Sequence, residues 1–338
     1  MRKTFNWAVL LALLAILAWV GIDAGSGRSG SAMLADNVMP AVADSDPSRL
    51  SNSGSSPIDP DFVETRNGDV SAGAFSAGPA LSTPVFRRIS IAGPDPVSAE
   101  SALVADLQTG EAYYELSPDR RWPIASVTKL FTASFTLRNM DLDRAVTVSE
   151  ADAAKNGGDF ENGLKAGESY RVSDLWKALL IFSSNEAAEA LANDYGRDAF
   201  ILGMRELAQE WGLDSTHITD PTGLSAANQS SANDLKALAR YVYQTYPGVF
   251  ETSRLRQETL VELGTGRAKL IKNNNLFAGR ADFIGGKTGY TRDSGDNLVS
   301  VFRMGRRPVV VIVLGAADRF EESERLWDWF RDTHELTP

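Results

Sequence analysis

Cysteine is absent from the 338 residues, and histidine occurs only twice, at His217 and His334. Without thiols there is no disulfide framework, no cysteine nucleophile and no cysteine-ligated zinc or iron–sulfur site. Two histidines leave little for a zinc site, which takes several His ligands when Cys is missing. They also restrict a Ser-His-Asp triad, so serine chemistry in this chain calls for another base. Positive charge is short as well: 34 Lys and Arg against 44 Asp and Glu give a net charge of −10. Phosphate contacts need clustered Lys and Arg, so the balance argues against nucleic acid as a partner. Length is not short. It allows one large domain or two ordinary ones, with a sizeable core.

Arg2 and Lys3 precede an apolar stretch, Phe5 to Ile22, whose one strongly polar member is Asn6. As a helix it would be about 27 Å long, enough for a hydrocarbon core. The basic start predicts a cytoplasmic N-terminus with the rest of the chain exported. The nearest cleavage-like site ends at Ala24, but Ile22 at the −3 position is not small. Residues 1–24 are therefore read as a retained anchor, with a cleaved signal peptide as the alternative. From Ala24 to Pro96, Ser, Gly and Pro make up 29 of 73 residues, and Lys is absent. That share marks low complexity, and no period of 2 or 3.6 persists, so residues 25–96 are expected to be a disordered tether. A short strand around Phe86 to Ile91 is the one exception allowed.

Residues 97–338 read as globular. Ala102–Asp106 and Glu111–Tyr114 have the pattern of a hairpin turning at Gln108-Thr109-Gly110. Helical periodicity then covers Pro123–Leu137, Val172–Ile181, Glu186–Ala192, Asp198–Trp211 and Asp234–Tyr243, with Gly212 placed to end the fourth. Strand patterns return at Glu258–Leu263, Lys269–Asn273, Phe283–Thr288, Leu298–Phe302 and Pro308–Leu314, and an amphipathic helix follows over Glu321–Asp332. This order predicts an α+β fold, with a helical insertion inside a mainly antiparallel sheet.

Ser126 and Lys129 lie in Trp122-Pro123-Ile124-Ala125-Ser126-Val127-Thr128-Lys129. Three residues apart on a helix, hydroxyl and amine share a face. A serine hydroxyl needs a base to become a nucleophile, and lysine serves only if desolvation or a nearby cation lowers its pKa. Taken alone the pair is weak evidence, since about one Ser-x-x-Lys arises by chance in a chain of this length. Lys287-Thr288-Gly289 is rarer. It follows a glycine pair, Gly285-Gly286, that lets another backbone or a ligand approach a strand closely, and it offers a cation and a hydroxyl to a carboxylate. Between the two lies Ser183-Ser184-Asn185, directly after the apolar run Ala178–Phe182. Such residues also serve as plain helix caps, which is the reading given to Ser231-Ala232-Asn233.

Ser-x-x-Lys, Ser-x-Asn and Lys-Thr-Gly in this order resemble the penicillin-recognising serine enzymes. More closely, the chain resembles the low-molecular-weight D-alanyl-D-alanine carboxypeptidases over about residues 100–331. Gly163-Leu164-Lys165-Ala166-Gly167-Glu168, Asp220-Pro221-Thr222-Gly223-Leu224-Ser225 and Val313-Leu314-Gly315 with Arg319 extend the likeness. The resemblance implies a β-lactamase-like fold: a five-stranded antiparallel sheet flanked by helices, with an inserted all-helical subdomain. It implies Ser126 as acyl-accepting nucleophile, Lys129 as its base and Ser183 as proton relay to the leaving amine. Asn185 would hold the substrate amide; Lys287, Thr288, Gly289 and Arg319 would form the carboxylate end. The backbone N–H groups of Ser126 and Tyr290 would make the oxyanion hole. Lys287 is expected to depress the Lys129 pKa by charge repulsion.

The expected substrate is a peptidoglycan peptide, with β-lactams as covalent inhibitors and no metal or organic cofactor. Localisation follows from the N-terminus: the periplasm, or the outer face of the cytoplasmic membrane. The better-known members carry a β-rich C-terminal domain, whereas this chain ends near Trp327–Phe330, so cleavage of D-alanyl cross-links is as compatible as trimming of peptide ends. Two alternatives stand beside this reading. A class A-like β-lactamase needs a glutamate for deacylation, and no Glu-x-x-Leu-Asn pattern occurs between Asn185 and Lys287. A non-catalytic peptidoglycan-binding protein on the same fold would not need the intact Ser126, Lys129, Ser183, Asn185 and Lys287.

Overall fold

The computed structural model describes residues 85–156 and 163–337. Five strands build the main sheet: β1 Ser101–Asp106, β2 Ala112–Leu116, β3 Phe283–Thr291, β4 Gly295–Met304 and β5 Arg307–Ala316. Their spatial order is β3-β4-β5-β1-β2, and every pair is antiparallel. The principal helices are α1 Lys129–Asn139, α2 Val172–Ile181, α3 Asn185–Tyr195, α4 Arg197–Glu210, α5 Ala232–Thr245, α6 Pro247–Ser253 and α7 Arg319–Thr333. Six of the seven fall between β2 and β3 in the chain, which is the helical insertion expected from the sequence. The fold is α+β and β-lactamase-like.

β5 shows why the sheet is central. Val309 to Leu314 is an unbroken run of aliphatic, mostly β-branched residues, the composition of a strand covered on both faces. All six are buried, and they alternate. Val309, Val311 and Val313 join Leu326, Trp327 and Phe330 of α7, while Val310, Ile312 and Leu314 join the core of the helical side. Each such side chain contributes about 1.5–3 kcal/mol on burial. Trp327 of α7 stacks on Phe302 of β4 with ring centroids 4.8 Å apart. Asp318 caps α7, accepting from the Phe320 and Glu321 amides, and so fixes where Arg319 enters the first turn.

Gly285 and Gly286 admit another backbone, as their pairing in the sequence implied. A Cβ on Gly285 would run into the Phe250 carbonyl oxygen of α6, and the Gly286 amide donates to Ser253 Oγ at 3.0 Å. α6 itself was not expected; Pro247 opens it in the first turn, where a missing N–H costs nothing.

One expectation fails at the site. The helix predicted over Pro123–Leu137 begins only at Lys129. Trp122–Pro123 pairs instead with Gln229–Ser230, Ala125 adopts a left-handed φ of 47°, and Ala125–Thr128 form a 3₁₀ turn. Pairing with a distant segment overrides the local preference, and the left-handed residue stops a helix from starting earlier. The local strand allowed inside the tether is Phe86–Arg88, which pairs antiparallel with His334–Leu336. The proposed anchor and the tether up to residue 84 lie outside the described residues. Among the described residues no helix is long and apolar enough to cross a membrane.

Candidate active site

Three elements converge on one cleft: the 3₁₀ turn carrying Ser126, the loop between α2 and α3 carrying Ser183, and the end of β3 carrying Thr288, Gly289 and Tyr290. In a 3₁₀ turn residues i and i+3 eclipse, so Lys129 lies directly over Ser126. Its Nζ is 3.0 Å from Ser126 Oγ, 2.7 Å from Asn185 Oδ1 and 2.7 Å from the Thr222 carbonyl oxygen. Lys129 is fully buried. A neutral amine fits this cage: two N–H donors serve Asn185 and Thr222, and the lone pair faces the Ser126 hydroxyl.

Burial is what lowers the Lys129 pKa, to about 7, while Asp220, Glu186 and Glu189 pull it back up. This corrects the expected cause, repulsion by Lys287. The charge coupling falls on Lys287 instead, which is held well below the usual lysine range by burial, then by Lys129 and Arg319. Lys287 Nζ donates to Ser183 Oγ at 2.9 Å and to the Thr288 carbonyl at 2.8 Å. The two buried lysines thus hold the two serines, one pair on each side of the cleft.

Backbone strain marks the same place. Ser183 has φ 67°, and with Ala125 it is one of three non-glycine residues of positive φ among those described. Such conformations cost of the order of 1–3 kcal/mol each and persist only where the surroundings enforce them. Ser184 is the cap of α3: it is buried, accepts from the Ala187 amide and donates to Glu186 Oε2. It lines the cleft between Ser183 and Asn185 and fixes both at the start of α3.

Gly289 presses against the turn that carries Ser126. A Cβ there would stand 3.1 Å from the amide nitrogens of both Ser126 and Val127. Arg319 NH1 donates to the Gly289 carbonyl at 2.7 Å, and its guanidinium lies 3.5 Å from Asp296. Its Nε is buried with no hydrogen-bond partner among the described residues. Thr288 Oγ1 donates to Asn274 Oδ1 at 3.1 Å. The cleft therefore brings together Ser126, Ser183, Asn185, Thr288, Gly289, Tyr290 and Arg319, with Lys129 and Lys287 beneath it. His217 and His334 do not line it.

Sequence reasoning missed three contributors. The Asp220 carboxylate accepts from Thr222 N and Oγ1, Gly223 N, Ser225 N and Asn228 Nδ2, which folds the 220–225 turn and aims the Thr222 carbonyl at Lys129. Asn274, within the uninformative run Asn273-Asn274-Asn275, supports Thr288. Asn297 of β4 donates to the Pro123 carbonyl at 2.9 Å and accepts from the Gly315 amide at 2.8 Å, tying the sheet to the approach to Ser126. The Asp-Pro-Thr-Gly stretch was visible as part of the resemblance, but nothing in it announced a backbone acceptor.

The pattern of the D-alanyl-D-alanine carboxypeptidase family, peptidase S11, matches residues 89–318. The chain is 31% identical over 253 residues to a D-alanyl-D-alanine endopeptidase of Pseudomonas aeruginosa, covering 71% of this chain and 79% of that one. It is 30% identical to the D-alanyl-D-alanine carboxypeptidase DacB2 of Mycobacterium tuberculosis, over 68% of this chain and 81% of that one. Among solved structures, the Streptomyces K15 DD-transpeptidase is similar with a TM-score of 0.65 and 26% identity, over 71% of this chain and 100% of that one. The ampicillin-bound penicillin-binding protein D2 of Listeria monocytogenes is similar with a TM-score of 0.62 and 28% identity, over 71% and 100%. A lysine-based serine site on this fold and a family match across most of the described chain agree: the protein belongs to the D-alanyl-D-alanine carboxypeptidase family of serine peptidases.

Proposed function

We propose that the protein cleaves D-alanyl bonds of peptidoglycan peptides through an acyl-enzyme on Ser126. The observation that carries this is the contact of a fully buried Lys129 Nζ with Ser126 Oγ at 3.0 Å. Neutral Lys129 takes the Ser126 proton as Oγ attacks the carbonyl carbon of the D-alanyl bond. The resulting oxyanion accepts from the Ser126 and Tyr290 amides, where one donor is typically worth ~3 kcal/mol of barrier. The C–N bond then breaks, and the leaving nitrogen takes its proton through Ser183. Water attacks the ester in turn and regenerates Ser126. Asn185 holds the substrate amide, while Thr288, Lys287 and Arg319 receive the carboxylate next to the scissile bond.

No Glu-x-x-Leu-Asn pattern lies between Asn185 and Lys287, and no carboxylate is among the described residues that line the cleft. Long-lived β-lactam acylation is the reading this supports, rather than a class A-like β-lactamase. Relatives are named both endopeptidases and carboxypeptidases, and each activity fits this cleft. Arg2, Lys3 and the Phe5–Ile22 stretch support export of the domain.

Fluorescent penicillin labelling of the wild type and of Ser126→Ala tests the mechanism. A covalent adduct on the wild type and none on the variant is expected; an unlabelled wild type sinks it. Incubation with a pentapeptide and with cross-linked muropeptides assigns the scissile bond.

A further inference from the structure

Charged groups surround Lys129 from four directions. Lys287 comes from β3, with Arg319 beyond it on α7; Glu186 and Glu189 come from α3, with Arg197 of α4 against Glu189; Asp220 comes from the 220–225 turn. Glu189 is neutralised by Arg197, whose Nε and NH2 reach it at 2.8 and 3.2 Å. Asp220 and Glu186 have no cation within salt-bridge distance among the described residues. Asp220 is instead held by five uncharged donor groups. Glu186 is fully buried, accepts from Ser184 Oγ at 2.8 Å, and keeps Oε1 without a partner among the described residues.

An isolated lysine at this depth would stay neutral and be too weak a base to hold a proton. A carboxylate in direct contact would have the opposite fault, locking the amine as ammonium and occupying its lone pair. Here all three contact positions go to uncharged groups, the Ser126 hydroxyl, Asn185 Oδ1 and the Thr222 carbonyl, and the carboxyl groups stand further out. Burial alone would raise the Asp220 carboxyl, but its bonds from Thr222, Ser225 and Gly223 hold it below the usual carboxylate range. The turn it organises is clamped in place. Gly223, at φ 85°, has no room for a Cβ against the Ala125 carbonyl, and Thr132 Oγ1 donates to the Pro221 carbonyl at 2.6 Å.

We propose that Asp220 and Glu186 are positioning residues for acylation: each sets a buried carboxyl one step behind a contact of Lys129, Asp220 behind the Thr222 carbonyl that it aims and Glu186 behind Asn185, and so tunes the amine that takes the Ser126 proton. This rests on the reading of Lys129 as the base of Ser126. The acylation rate of the full chain with a fluorescent penicillin, measured from pH 5.5 to 9, tests it. Removing a negative charge makes the ammonium harder to form, so the alkaline-rising limb moves to lower pH. Asp220→Asn is expected to shift it by roughly one unit and to lower the plateau, because a less basic amine is a poorer acceptor. Glu186→Gln, which keeps an acceptor for Ser184, is expected to move it in the same direction by less.

A purely structural role would lower the plateau and leave the limb in place. If Glu186→Gln, together with Asp220→Asn where that variant folds, superimposes on the wild-type limb, the inference is overturned. An unlabelled wild type is a different failure: it removes the reading of Ser126 and Lys129 itself.

Discussion

Gly289 packs against Ser126 so closely that the strand end leaves no space for a side chain. A Cβ at Gly289 would meet the Ile124 carbonyl oxygen at 2.7 Å and the Ser126 amide at 3.1 Å. These are backbone atoms of the Ser126 turn, which cannot rotate aside as a flexible side chain would. Gly289→Ala should therefore push β3 away from the turn and separate the Ser126 and Tyr290 amides. Penicillin acylation is expected to fall about 100-fold or more, the typical effect of losing one oxyanion donor. Stability should drop only about 1–3 kcal/mol, the usual range for overpacking. Wild-type acylation by this variant would refute the proposed oxyanion hole.

The Lys129 pKa of about 7 predicts how rate and stability depend on pH. Only the neutral amine accepts the Ser126 proton, so acylation should fall about tenfold per pH unit below 7 and level off above it. Stability follows the same group with a different window. Folding lowers this pKa from 10.5 to about 7, so between those values the unfolded chain binds more protons and stability rises with pH. The slope is up to about 1.4 kcal/mol per pH unit, and Lys287 acts in the same direction. Melting temperature should thus climb from pH 7 to 9 in the wild type and climb less in Lys129→Met. Parallel slopes would mean that Lys129 is not the group responsible.

Asn274 holds Thr288 by one hydrogen bond, at 3.1 Å, from an exposed position. Asn274→Ala leaves the Thr288 hydroxyl free to rotate, and a neutral hydrogen bond is worth about 1 kcal/mol. The second-order rate constant for β-lactam acylation should drop roughly fivefold with little change in melting temperature. An unchanged rate constant would remove Asn274 from the site.

Asp106 and Arg307 form a buried ion pair where β1 ends and β5 begins, away from the cleft. Asp106 also accepts from the Gln108 amide at 2.7 Å, closing the hairpin turn. Removing one partner strands a buried cation, which typically costs about 3–5 kcal/mol. Asp106→Ala should lower the melting temperature markedly, while penicillin labelling per folded molecule stays at the wild-type level. A stable variant with impaired labelling would show that this end of the sheet communicates with the site.

The amino-acid order by itself determined the fold class and most of the cleft. The run Pro308–Leu314 identified a strand, and Ser231 marked a helix start. Three short motifs named the side chains that now stand together. These signals are legible because side-chain chemistry and periodicity are written locally. Tertiary structure decided the rest. Ser126 sits in a 3₁₀ turn and not an α-helix, because Trp122–Pro123 pairs with Gln229–Ser230 about a hundred residues away. Burial, rather than the neighbouring lysine, lowers the pKa of Lys129, and burial is a property of everything packed around it. The Thr222 carbonyl that completes the lysine cage is a backbone atom that any residue type would supply, so no sequence letter could have announced it.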